Sequence, residues 1–380
     1  MITYFIKSTS FKYKSLMLFI CLQVLSGFSL CYSSEINISN IPYIQNRIIF
    51  DEEPFFFKYG IDNTLKIISE AGFNVYVPCI WHGVGALYNS SEIKKEPKFE
   101  KYFEYGHDHF RDLILKAHAK GIQVHPWFYL AKGDKSIFPS FAKEGTPIGA
   151  FDLYNPAFRD FIIREISAFV TKYDIDGIVL DYVRTMGISF TKEAKKKYLN
   201  DCQIRFDEIS NIESMSAETQ NKFLICQQVT LNDIIRSISA KIKTIKPNVI
   251  ISVCGHPHPK PQLDKEGRNE WYWLEMGWID LVLIMDYTEK PAFSYFQKVK
   301  STSLKPNNFA LIVGNYDKFD GSILSRNEDK LIELIYEAAN KINKDAVGIY
   351  YFGALTKRQI DKLRESIFYN TQRASWNFLN

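Results

Sequence analysis

The chain has 380 residues with 46% apolar side chains, enough to bury the core of one large domain or two ordinary ones. A formal net charge of +4 without a basic stripe excludes the electrostatic footprint of a nucleic-acid-binding protein, and the run Lys195-Lys196-Lys197 reads as a solvated helix face. Aromatic residues reach 15%, with 29 Phe, 22 Tyr and 6 Trp, which fill a core and in a sugar-binding cleft supply flat faces for stacking.

Lys7, Lys12 and Lys14 precede an apolar run over 15–30, followed by the small residues Ser33 and Ser34. That order predicts a signal peptide over 1–34, removed on export to the periplasm, the cell surface or the medium. The apolar run is shorter than a comfortable membrane span, so no stable membrane insertion is expected after cleavage. Leu30 is too large to precede a lipidated Cys31. Beyond the leader stand Cys79, Cys202, Cys226 and Cys254, without a CxxC spacing. Cys202 and Cys226 flank an irregular insertion, and they are the pair to test as a bridge.

Strand-like runs then alternate with helical segments. A strand over 47–50 is followed by a helix over 63–71, a strand over 74–81, a helix over 110–119 and a strand over 122–128. A helix over 157–173 leads into a strand over 177–183. Residues 185–228 break the repeat and read as an elaborated loop with short helices. A helix over 229–245 and strands over 249–254, 281–286 and 310–313 follow. The series ends with a helix over 330–342, a strand over 347–352, a helix over 357–367 and a weakly ordered tail over 369–380. Such alternation predicts a parallel sheet covered on both faces, and its length fits an α/β fold of the (β/α)8 barrel type over 35–368. A doubly wound open sheet is the alternative, but no Gly-rich phosphate turn follows the first strand.

In such barrels chemistry sits at the C-terminal strand ends. Asp181 ends the fourth strand and Asp286 the sixth, strands near enough around a barrel for both carboxyl groups to reach one cleft, as glycosidic cleavage asks; a strand-end cap or an ion pair with Arg184 is the other reading of Asp181. Asp176 opens its strand and reads as lying at the opposite rim or as orienting neighbours. Trp81, Trp127, Tyr182, Tyr287 and Tyr351 lie near strand ends as stacking faces. Trp271, Trp273 and Trp278 crowd before the sixth strand as a subsite wall or a packed lid. His125 lies within the third strand and His82 follows the second; each reads as a hydroxyl partner or a satisfied core histidine. The pair His107/His109 precedes a helix and reads as a cap. The pair His256/His258 follows the fifth strand, on the active face, in a spacing that metals also use. No GxSxG, Walker or HExxH pattern occurs.

Several segments in order resemble the secreted bacterial barrels called glycosyl-hydrolase-like family 10, distinct from the true family 10 xylanases. They are Gly72–Val77 and Gly85–Ser90, the stretch from Asp112 to Trp127, Asn155-Pro156 with Arg159, and Tyr173 to Tyr182. Lys246–Val249, Ile279-Asp280 and Met285–Thr288 complete the set, which covers about 45–365. The resemblance implies a (β/α)8 barrel acting on glycosidic bonds. It implies Asp181 as the strand-four carboxylate, Asp176 as its companion, Asp286-Tyr287 as the strand-six motif, and Asn155 and Arg159 as supports. This chain departs from the family where Arg184 is followed by Thr185-Met186-Gly187, and where Cys226 replaces a frequent arginine. Val179 and Val183 break the chitinase pattern DGxDxDxE.

The expectation is an exported glycoside hydrolase that needs no cofactor and no metal. Asp181 serves as nucleophile or stabiliser and Asp286 as acid/base, while Asp176, Trp81, His82, His125, Trp127, Asn155, Tyr182, Arg184, His256, Tyr287 and Tyr351 contact a carbohydrate substrate. A carbohydrate-binding barrel without chemistry, and a metal-dependent hydrolase built on His256 and His258, are the competing readings.

Overall fold

The computed structural model describes residues 42–104, 106–205, 216–255 and 266–376. The predicted leader over 1–34 and the His256/His258 pair lie outside the described residues.

Strands β1 (Asn46–Asp51), β2 (Val75–Trp81), β3 (Gln123–Val124), β4 (Trp127–Tyr129), β5 (Gly177–Asp181), β6 (Ile250–Gly255), β7 (Leu281–Asp286) and β8 (Phe309–Gly314) join one sheet with β11 (Ala346–Tyr350). The sheet order is β1-β11-β8-β7-β6-β5-β4-β2-β3, and β1 also pairs with β2, so the sheet closes. β3 and β4 are two halves of one strand, both paired to β2, separated at His125-Pro126 because proline cannot donate to the ladder. Nine paired segments thus make eight staves, all parallel, as a (β/α)8 barrel requires. The strands are apolar almost throughout because both faces are covered.

Helices α1 (Phe55–Lys58), α2 (Ile61–Glu70), α3 (His109–Ala119), α4 (Pro156–Lys172), α5 (Lys192–Cys202) and α6 (Ala217–Ile245) pack outside, followed by α7 (Glu270–Glu275), α8 (Phe293–Thr302), α9 (Glu328–Lys341) and α10 (Lys357–Glu365). Local chemistry sets their starts. Asn155 accepts from the Ala157 amide with Pro156 at the first helical position of α4, and Thr356 and Gln359 form a reciprocal capping box on α10. The start of α3 is capped by Asp108, which accepts from the Arg111 amide, so His107 and His109 are not the cap. Strands β9 (Tyr316–Phe319) and β10 (Ser322–Ser325) form an antiparallel hairpin after β8.

Two differences from the sequence reading stand out. The helix expected to begin at 229 begins at Ala217, behind a Ser216 cap, and Cys226 of this helix bonds Cys202 at the end of α5. Tyr154, Ala194, Tyr198, Ile204 and Phe223 bury themselves around that bridge, so the insertion carries its own small core. The tail is also not loose up to Trp376. The buried Arg47 guanidinium donates to the carbonyls of Ile44, Gly72 and Gln372 and to Asn370 Oδ1, and the Ser375 amide donates to Asn46 Oδ1 at 2.9 Å. Trp376, 5% exposed, closes the base of the barrel and donates to Gln123 Oε1 at 2.9 Å. A weakly periodic segment is ordered here by buried polar groups that need partners. Trp376→Ala is expected to cost about 3 kcal/mol in urea unfolding; a loss under about 0.5 kcal/mol would show that the tail only rests on the base.

Candidate active site

At the C-terminal ends of the strands lies a cleft of about 240 Å³ lined by Glu52, Trp127, Tyr129, Asp181, Tyr182, Arg184, Gly255, Arg268, Met285, Tyr287 and Tyr350. Strand parity selects these residues. In β5 and β4 the register pairs Asp181 with Tyr129 and Val179 with Trp127, so all four share the lumen side. In β7, Met285 and Tyr287 face the cleft, which sends Asp286 the other way.

Asp181 sits at the cleft base, half-buried, and its Oδ1 accepts from the Tyr182 amide at 2.6 Å. That bond uses the left-handed backbone of Tyr182, φ 49°, a conformation rare for a tyrosine and found where a site is held under strain. Burial raises the Asp181 pKa; the Tyr182 amide, Arg268 and Arg184 pull it back, and the charge of Glu52 pushes it up further. Arg268 is held by the Cys254 carbonyl at 2.6 Å and Glu270 Oε1 at 2.8 Å, and Arg184 lies 3.3 Å from Glu266.

Glu52 was not singled out in the sequence. It follows β1 directly, and the strand-end rule that picked out Asp181 applies to it equally. Its Oε1 accepts from the Tyr129 hydroxyl at 2.8 Å and its Oε2 from the Tyr350 hydroxyl. Tyr287 stacks on Tyr350 with centroids 4.5 Å apart, and Tyr182 leans on Tyr129 at 4.7 Å. Lys132 lies over both Tyr129 and Tyr182. The Trp127 Nε1 and Tyr287 Oη atoms are buried without hydrogen-bond partners among the described residues. Two orphaned polar groups on cleft-lining residues are what a site built for a polar ligand presents.

The cleft continues past Glu52 and Tyr350 into a groove of about 610 Å³ lined in part by Phe55, His82, Glu96, Lys98, Tyr316 and Tyr351. His82 Nδ1 meets Glu96 Oε2 and its Nε2 meets the Glu52 carbonyl, each at 2.8 Å. Both partners are acceptors, so both ring nitrogens donate and the ring is an imidazolium. Burial opposes that charge, while Cys79 and Glu96 favour it, and the balance raises the His82 pKa.

Of the sequence-derived site residues, the structure brings Asp181, Trp127, Tyr182, Arg184 and Tyr287 to the cleft and His82 and Tyr351 to the adjoining groove. The others go elsewhere. Asp286, 2% exposed, faces the helical shell, where it accepts from the Thr288 amide and hydroxyl and the Ala292 amide at 2.6–3.2 Å. Trp81 is fully buried among Phe138, Phe151 and Phe161, because the β2–β4 register slips between Cys79 and Trp81. Asp176 lies at the N-terminal end of β5 and accepts from the Val124 amide and His118 Nε2, each at 2.8 Å. His125 fills the lumen floor above Trp376, in the space a side chain at Gly177 would need. Asn155 spends its side chain on the α4 cap and the Ser140 carbonyl, and Arg159 reaches Asp233 at 3.9 Å. Among the described residues, no group of three His, Cys, Asp or Glu side chains is placed to hold a metal.

A closed parallel barrel with carboxyl groups and aromatic rings at its C-terminal mouth is a (β/α)8 barrel with its candidate site where barrel enzymes place theirs. The family model described as Glycosyl hydrolase-like 10 matches residues 141–319, which bears out the resemblance seen in the sequence; Asp181 lies within that span and Glu52 outside it. The glycoside hydrolase domain of PgaB (BpsB) from Bordetella bronchiseptica is similar with a TM-score of 0.64 at 10% identity, over 86% of this chain and 99% of that one. Alpha-L-fucosidase isoenzyme 2 from Paenibacillus thiaminolyticus is similar at 0.56 and 17% identity, over 86% of this chain and 49% of the fucosidase. The catalytic domain of beta-amylase from Paenibacillus polymyxa is similar at 0.57 and 11% identity, over 87% and 100%. These likenesses show a common fold. No curated protein sequence matches the chain.

Asp51, the neighbour of Glu52, points into the shell, where its Oδ2 accepts from the Phe55 amide at 2.8 Å and the Tyr76 hydroxyl at 2.5 Å. Burial raises its pKa to about 7 against those two hydrogen bonds. The folded chain then keeps this proton to about pH 7, whereas the unfolded chain releases it near pH 4. Stability therefore falls as pH rises from about 4 to about 7. Asp51→Asn is expected to flatten that segment of the pH–stability curve in urea titrations, and an unchanged slope would assign the proton to another group.

Proposed function

We propose that the protein is a glycoside hydrolase that cleaves O-glycosidic bonds of a polysaccharide or glycan outside the cytoplasm, with Asp181 as general acid and Glu52 as the opposing carboxylate. The observation that carries this reading is one cleft, at the catalytic end of the barrel, lined by both carboxyl groups and by aromatic faces. Glycosidic cleavage asks one carboxyl group to protonate the leaving oxygen, and another to attack the sugar or activate water. The raised pKa of Asp181 suits the first task, since it keeps a proton where an ordinary aspartate has lost it. Glu52 is steered by the Tyr129 and Tyr350 hydroxyls and takes the second. Trp127 and Tyr287 line the cleft and offer their rings to the sugar face. The groove beyond Glu52 has room for further sugar units, so an oligomeric substrate fits better than a single glycoside. No step calls for a cofactor. Asp286 fastens the loop to Ala292 rather than taking part in the chemistry.

The test is a hydrolysis screen across polysaccharides with the parent and three variants. Asp181→Asn and Glu52→Gln are each expected to lose about a hundredfold or more in kcat. Asp286→Asn is expected to retain turnover within about tenfold and to lose about 1–3 kcal/mol of stability through its missing loop bonds. The parent rate falls as pH rises through the raised Asp181 pKa. In Glu52→Gln the residual rate falls at lower pH, because one charge that raises that pKa is gone. Equal rates for the parent and Asp181→Asn would remove Asp181 from the chemistry. Saccharide binding by a parent that hydrolyses nothing would establish a carbohydrate-binding barrel instead.

A further inference from the structure

The indole-rich segment before β7 takes no part in the cleft. Trp273 enters the core, fully buried, and donates to Asn232 Oδ1 at 2.6 Å. Trp271 and Tyr272, on the same short helix, line a separate cavity of about 460 Å³ between α7 and α8, with Glu275, Tyr295, Leu304 and Phe309 on its walls. Phe309 opens β8 and Leu304 follows the last turn of α8, so the cavity lies on the flank of the barrel near the N-terminal strand ends, away from the catalytic mouth. Trp271 packs against Phe309 with centroids 5.2 Å apart, which holds the indole in place. Tyr272 is 39% exposed and Leu304 86%, so the cavity is open to solvent.

Its polar element is Glu275. Oε1 accepts from the Ser303 hydroxyl at 2.7 Å and the Leu304 amide at 2.9 Å, which fixes the carboxylate. Oε2 is buried and has no hydrogen-bond partner among the described residues. A carboxylate fixed on the cavity wall keeps acceptor capacity for a donor brought by a ligand. No lysine or arginine lines the cavity, which argues against an anion. Flat aromatic surface beside one oriented acceptor matches a pyranose ring, with its apolar face and its hydroxyl donors.

We propose that this cavity is a second saccharide-binding site, taking a neutral pyranose unit of a polysaccharide on Trp271 and Tyr272, with a ring hydroxyl donating to the Glu275 carboxylate. The proposal rests on the glycoside-hydrolase reading for its ligand class and assigns the site a role in holding polymer away from the cleft.

The test uses the full chain carrying Asp181→Asn and labelled with fluorotryptophan. The fluorine NMR lines of Trp271 and Trp127 are assigned by replacing each with phenylalanine, and cellohexaose, xylohexaose, maltohexaose and chitohexaose are titrated in. At least one sugar is expected to move the Trp271 line saturably, with affinity weakened about tenfold by Glu275→Gln. Tyr272→Ala, at an exposed position, is expected to weaken it similarly and serves if Glu275→Gln fails to fold. A Trp271 line that ignores all four sugars overturns the second site, as does a response untouched by both variants. The Trp127 line judges the cleft separately: its movement beside a silent Trp271 sinks only the second site, and its silence beside a moving Trp271 sinks only the cleft reading.

Discussion

In a closed parallel barrel a side chain at a strand end faces either the lumen or the helical shell, and its neighbour must take the other side. This alternation decides what the mouth contains. Glu52 faces in and Asp51 out; Tyr287 faces in and Asp286 out; Asp181 faces in beside Tyr129. The two kinds of position differ in what their carboxylates are open to. Outward carboxylates are consumed by backbone amides and hydroxyls that fasten the start of α1 and the loop over 286–292. Inward ones meet tyrosine hydroxyls and arginines and stay open to the cleft.

The inward set is stiff. Glu52 is fixed by tyrosines from β4 and from the last strand, Tyr350 is backed by Tyr287, and Tyr129 by Tyr182. Tyr350 also meets Trp127, Tyr316 and Tyr351, and Tyr129 also meets Trp127 and His82, so both rings that hold Glu52 are packed on several sides. A site of this kind is organised before a ligand arrives, which lowers the reorganisation that a reaction would otherwise require.

Much of this was legible in the sequence. Apolar runs with helical segments between them carry the barrel, because buried parallel strands must be apolar along their whole length. Asp181 was legible as a charge terminating such a run, and Cys202 with Cys226 as a pair flanking an insertion. Asp286 has the same signature as Asp181 yet faces away, since a run apolar on both faces hides which parity points inward. Trp81 ends its strand in the sequence yet enters the core, through a register slip that no composition records. Glu52 lies two residues past the apolar run over 47–50, behind Asp51, so the run does not itself end on it. The order of the tail up to Trp376 is not legible locally, because it comes from distant partners, Arg47 and Asn46.

The seam between β1 and β11 joins Asn46 to Ala346 and Phe50 to Tyr350, across nearly the whole chain. Until the last strand exists, β1 has only one neighbour and β8 offers an unpaired edge. An incomplete chain is therefore an open sheet with two bare hydrogen-bonding edges, the geometry most prone to pairing with another copy. Because Tyr350 of that final strand also holds Glu52, the closing of the seam is at the same time the assembly of the mouth: a half-made chain is exposed to aggregation and carries no site.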